Sequence, residues 1–107
     1  MSVAYPTQWE LESWKEDALF FINRERVDLG FAVLFEIPKG YRVNTCECPV
    51  AMALPGEAWV SRLRWWPKYK SVLPSFTPQV SRPITPGCTN FINAFDEGHY
   101  PELELRV

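Results

Sequence analysis

Three cysteines and one histidine are the residues of this sequence with the most reactive side chains: Cys46, Cys48, Cys88 and His99. Cys46-Glu-Cys48 would set two thiols on the same side of a strand, and a tetrahedral zinc site takes four such ligands. The second pair is loose, however, because Cys88 and His99 stand far apart for a structural finger. Three thiols also cannot all pair within one chain. In a reducing compartment they read most simply as free thiols. Cys88 with His99 as a nucleophile and its base lacks an orienting third group and an oxyanion motif. No cofactor is expected.

Residues 62–70, RLRWWPKYK, place four cations and three aromatic rings in nine positions. Arg62, Arg64, Lys68 and Lys70 could face carboxylates or phosphates, and Trp65, Trp66 and Tyr69 could fill pockets or stack on bases. Three readings follow. The rings belong to a core and the cations to a solvated face; the stretch is the centre of a protein-binding patch; or it tracks nucleic acid, with binding that weakens steeply in salt. The cations have no acid close by in sequence, so their counter-charge is either distant in the chain, as in pairing with the acidic helix, or on a partner. Residues 1–57 hold nine acids and five bases, 58–95 hold five bases and no acid, and 96–107 hold four acids and one base. A cationic middle is thus held between anionic ends.

Carboxylates gather at Glu10, Glu12, Glu16 and Asp17, and again at Asp96, Glu97, Glu102 and Glu104. A glycosidase pair would need a cleft that raises one acid's pKa by burial. These acids lie instead among Lys15, Arg24 and turn residues, as a charged outer face does. An acidic helix can also engage a basic groove on a partner. No phosphate loop, HExxH, nucleophile elbow or dinucleotide fingerprint occurs. The chain is therefore expected not to be an enzyme.

The elements that would position these residues can be read in order. Thr7-Gln-Trp-Glu10 is a capping box, followed by Leu11, Trp14, Ala18, Phe21 and Ile22 at helical spacing. A helix is predicted from about residue 8 to 25. Phe31, Val33, Phe35 and Ile37 alternate as in a strand, Pro38-Lys39-Gly40 fits a bulged hairpin turn, and Tyr41 to Cys48 would return. Ala58 to Trp66 is predicted to be one strand, with Trp59, Ser61, Leu63 and Trp65 on one side and Val60, Arg62, Arg64 and Trp66 on the other. Five prolines within 67–88 predict an extended, irregular segment. Thr89 to Phe95 reads as a short helical turn or strand, and Leu103, Leu105 and Val107 as an amphipathic closing strand.

The fold class that results is α+β: an N-terminal helix packed on a small, mainly antiparallel sheet, with a long proline-rich irregular segment. With 107 residues, 47% of them hydrophobic, a single compact domain over 1–107 is expected. No apolar run suits a membrane span and the N-terminus lacks a signal peptide's apolar stretch, so the expected site is the cytoplasm. Size, ring content and missing motifs together favour a small interaction protein that docks on another macromolecule. Its expected contacts are Arg62, Arg64, Trp65, Trp66, Lys68, Tyr69 and Lys70. Inhibitors and regulators encoded by phages and mobile elements are commonly chains of this kind. A nucleic-acid-binding module using the same surface, a domain held by structural zinc, and a homo-oligomer with Trp65 or Trp66 between copies are the alternatives.

Overall fold

The computed structural model describes residues 5–55, 58–66 and 81–105. Its first element, α1 (Gln8–Asp28), starts where the sequence predicts, and both halves of the capping box form. Thr7 Oγ1 accepts from the Glu10 backbone N–H, while the Glu10 carboxylate accepts from the Thr7 N–H. Ala18, Phe21, Ile22 and Glu25 form its buried face, at spacings of three and four residues. The helix runs one turn beyond the predicted end and stops at Gly30, whose φ of 88° suits glycine alone.

Helix α2 (Pro49–Ala53) and helix α3 (Pro86–Asp96) both begin with proline in the first turn, where its missing N–H costs no hydrogen bond. Cys48 Sγ and Thr85 Oγ1 cap them by accepting the N–H of Ala51 and Cys88. The predicted short turn at Thr89–Phe95 is thus an eleven-residue helix. It turns Cys88, Phe91, Ile92 and Phe95 onto α1. Tyr100, after α3, leans on Phe91 and donates its hydroxyl to the Leu11 carbonyl.

Three short strands make the sheet: β1 (Trp59–Val60), β2 (Arg64–Trp66) and β3 (Arg82–Pro83), antiparallel in the order β1-β2-β3. The single strand expected over Ala58–Trp66 is therefore a hairpin. Ser61 folds it: its N–H and hydroxyl donate to the Arg64 carbonyl, and its Oγ accepts from the N–H of Arg64. The fold is α+β, with the long N-terminal helix packed against a small antiparallel sheet.

Two other predicted strands do not form. Residues 31–37 meet no strand; instead the Asn23 amide stands in for one, donating to the Leu34 carbonyl and accepting from the Leu34 N–H. Ile37 is buried and Leu34 half-buried, whereas Phe31, Val33 and Phe35 are exposed, so the period-two face is not the inner one. Residues 41–48 form a loop closed by Tyr41 N–H on the Glu47 carbonyl and by the Asn44 side chain, which accepts from the N–H of Cys46 and Glu47. In the described part of the predicted closing strand a 3-10 turn at Pro101–Leu103 and a parallel bridge between Gly40 and Glu104 are found, while Arg106 and Val107 lie outside the described residues. Of the proline-rich segment, 67–80 lies outside the described residues. Among the described residues no helix is long and apolar enough to cross a membrane.

Candidate functional site

The hairpin divides the basic aromatic stretch between two faces. Register puts Trp59 opposite Trp66 and Val60 opposite Trp65. Side chains alternate across a strand. Val60 and Trp65 accordingly point into the core, while Trp59 is exposed and Trp66 partly so. The two outer indoles meet edge to face, with ring centroids 4.9 Å apart and planes at 64°, a favoured aromatic geometry.

Trp65 is a correction to the expected contact set, because its ring is completely buried and offers no face to a partner. Its indole N–H donates to Glu25 Oε1 at 2.8 Å. Arg82, which lies opposite Trp65 on β3, donates its Nε to the same oxygen at 2.8 Å. Arg82 also pairs with Asp28 one helical turn on. These bonds, that to Glu25 first, hold the Arg82 guanidinium still more firmly protonated than usual. One carboxylate on α1 thereby collects donors from two neighbouring strands. It joins helix to sheet.

The remaining cations divide similarly. Arg64 lies outward on β2, but its Nε and NH2 donate to the hydroxyl and carbonyl of Ser81, which steadies the start of β3. Arg62 and Leu63 are exposed at the hairpin's turn, whose backbone is fixed by Thr89 Oγ1–H donating to the Arg62 carbonyl. Lys68, Tyr69 and Lys70 lie outside the described residues. The described part of the surface is thus an indole pair with Arg64 on the outer face of the sheet, and Arg62 and Leu63 at its tip. Leu63 is the member that sequence reading missed. Its place at the centre of a turn between two arginines was the available signal.

The thiols and the imidazole are not drawn together. Cys46 is exposed, whereas Cys48 and Cys88 are buried. Burial pushes the Cys48 thiol up to about 11, and pushes the Cys88 thiol higher still, which suppresses the nucleophilic thiolate. His99 instead meets the edge of Tyr5 and sits 3.5 Å from Glu97. Among the described residues no three His, Cys, Asp or Glu side chains gather as a metal-ligand set. Cys48 and Cys88 serve helix capping and core packing. No family model matches the chain, and the comparisons with curated proteins and with solved structures returned no match either.

Proposed function

We propose that this is a small non-catalytic interaction protein that docks on another macromolecule through the outer face and tip of the β1–β2 hairpin. The observation that carries the reading is the exposure of Trp59 beside the half-covered Trp66 on the outer face, together with that of Arg62 and Leu63 at the tip of the same hairpin. Aromatic rings and arginine are the usual anchors of interfaces, since they combine large apolar area with a directed polar end. Two indoles already packed edge to face need little ordering on binding, which lowers the entropic cost of the contact. Arg62 supplies the complement to acidic groups around a partner's apolar pocket. Lys68 and Lys70, close by in sequence, extend the cationic character of this part of the chain. Inhibition or regulation of the bound macromolecule is the role such a surface would serve, in the cytoplasm.

The test uses Arg62→Glu combined with Leu63→Ser, two exposed positions whose side chains make no hydrogen bond or ion pair among the described residues. The variant should keep the wild-type melting temperature and lose, in a side-by-side pull-down from the native host, the partner that the wild type retains. Equal retention by both proteins would remove the hairpin from the docking surface. Titration with a short oligonucleotide at several salt concentrations separates the second reading: a steep negative slope would move the partner from protein to nucleic acid.

A further inference from the structure

Helix α1 carries large apolar residues on two opposite sides. Its inner side carries Ala18, Phe21 and Ile22, fully buried. On the other side Trp9, Phe20 and Val27 are exposed by 76%, 70% and 60%. Successive residues of a helix advance by about 100°. The steps from Trp9 to Phe20 and from Phe20 to Val27 therefore return within about 20° of the same direction, so the three side chains stand in a row along the outside. A solvated helix face ordinarily carries polar residues there. Ser13, Glu16 and Asn23 fall between the three on the same side, so Trp9, Phe20 and Val27 are separate apolar anchors set in a polar face rather than a continuous patch.

The flank of this row shows what would cover it. Beside it runs a groove of about 520 Å³, whose walls carry Glu12, Glu16, Glu36 and Glu102 against Lys15 and Lys39. Lys15 already lies near Glu102, at 4.0 Å. Leu19 forms part of the groove, and Phe35, 90% exposed, stands in its lining. Exposed apolar anchors beside a groove with a net acidic lining are complementary to an amphipathic helix with a cationic flank, although Val27 at the far end borders Arg24 and Arg82 instead. A second copy of α1 would bring Glu12 and Glu16 of its own toward these acids, so a copy of this chain is the poorer fit.

We propose that the outer face of α1 is a docking site for a cationic amphipathic helix of a partner protein, seated on Trp9, Phe20 and Val27 with its cations toward Glu12, Glu16 and Glu36. The site is separate from the hairpin surface and stands or falls independently of it.

The probe is a synthetic 18-residue amphipathic helix of leucine and lysine, labelled for fluorescence anisotropy, with a leucine–glutamate counterpart of the same pattern. The wild type should bind the lysine peptide and not the glutamate one. Phe20→Ser and, separately, Val27→Ser should weaken binding by about tenfold or more, the effect of losing one anchor. Both positions are exposed, so thermal melting should shift by no more than about 2 °C. Glu12→Lys with Glu16→Lys should reverse the preference toward the glutamate peptide, whereas Arg62→Glu should change neither affinity. Failure of the lysine peptide to bind, equal binding by the serine variants, or an unreversed preference in the lysine variant would each overturn the proposal. So would light scattering that shows a wild-type dimer dispersed by Phe20→Ser, since the face would then belong to a second copy.

Discussion

Glu25 is the residue on which helix and sheet agree. A carboxylate this deeply buried is costly unless its oxygens are met by donors. Here Trp65 and Arg82 meet it from adjacent strands. The signal for it was present in the sequence, because the helical stripe through Ala18, Phe21 and Ile22 arrives next at position 25 and finds an acid there. An acid on an apolar stripe asks for a buried partner, but nothing local says which cation answers, since Arg82 is 57 residues away. The adjacent tryptophans test the division of faces. Trp65→Ala should cost about 4 kcal/mol, as large core truncations do, with Glu25 losing a donor as well. Trp66→Ala should cost about 1 kcal/mol, the worth of an aromatic pair contact at a partly exposed site. Urea denaturation of the two variants checks this, and equal losses would show that the hairpin does not separate the rings in this way.

At the scale of elements, legibility follows whether the sequence signal is local. The capping box of α1 involves residues three apart and was readable to the residue. Prolines misled elsewhere, because Pro49 and Pro86 start helices as readily as they end strands. Thr85-Pro86 followed by apolar residues at 88, 91, 92 and 95 is a helix start once proline is read at its first turn. Residues 31–37 failed for a different reason. Their alternation was real, but a side-chain amide on α1 supplied the backbone partner that a strand would have supplied. The loop after Gly40 holds one further mark of tertiary override. Val43 takes φ of 50°, a left-handed conformation that β-branched residues avoid, while its N–H donates to Asp96 Oδ1 at 2.9 Å. Its side chain is 79% exposed. Val43→Asn keeps the N–H and suits the left-handed region, and should raise stability by about 1 kcal/mol. A fall in the urea midpoint would mean that the valine side chain has a packing role.

At the scale of the whole molecule, the separation of charge in the sequence survives folding only in part among the described residues, which exclude Lys68 and Lys70. Arg82 of the cationic middle crosses to Glu25 and Asp28, Arg64 is tied to Ser81, and Arg62 is left outward. The core between the helices holds ionisable groups of another kind, thiols and a phenol that fold in their neutral form. Desolvation raises Cys48 to about 11 and raises Cys88 and Tyr100 further. An unfolded thiol loses its proton near 8.5 and an unfolded phenol near 10. Between those values and the folded ones, the unfolded chain releases protons that the folded chain keeps, so unfolding gains with rising pH. The sign is therefore fixed: this contribution is complete below about pH 8.5 and drains away as pH climbs through 9 and 10 toward 11. Each group adds a slope of about 1.4 kcal/mol per pH unit once its unfolded form is titrated. Urea midpoints should be level between pH 7 and 8 and fall increasingly above 9. Cys88→Ala should start lower at pH 7, from the small cavity it leaves, yet fall less steeply above pH 9. Parallel curves for the two proteins would place the alkaline loss outside this thiol, and a shallower curve in the variant would locate it in the junction where α3 meets α1.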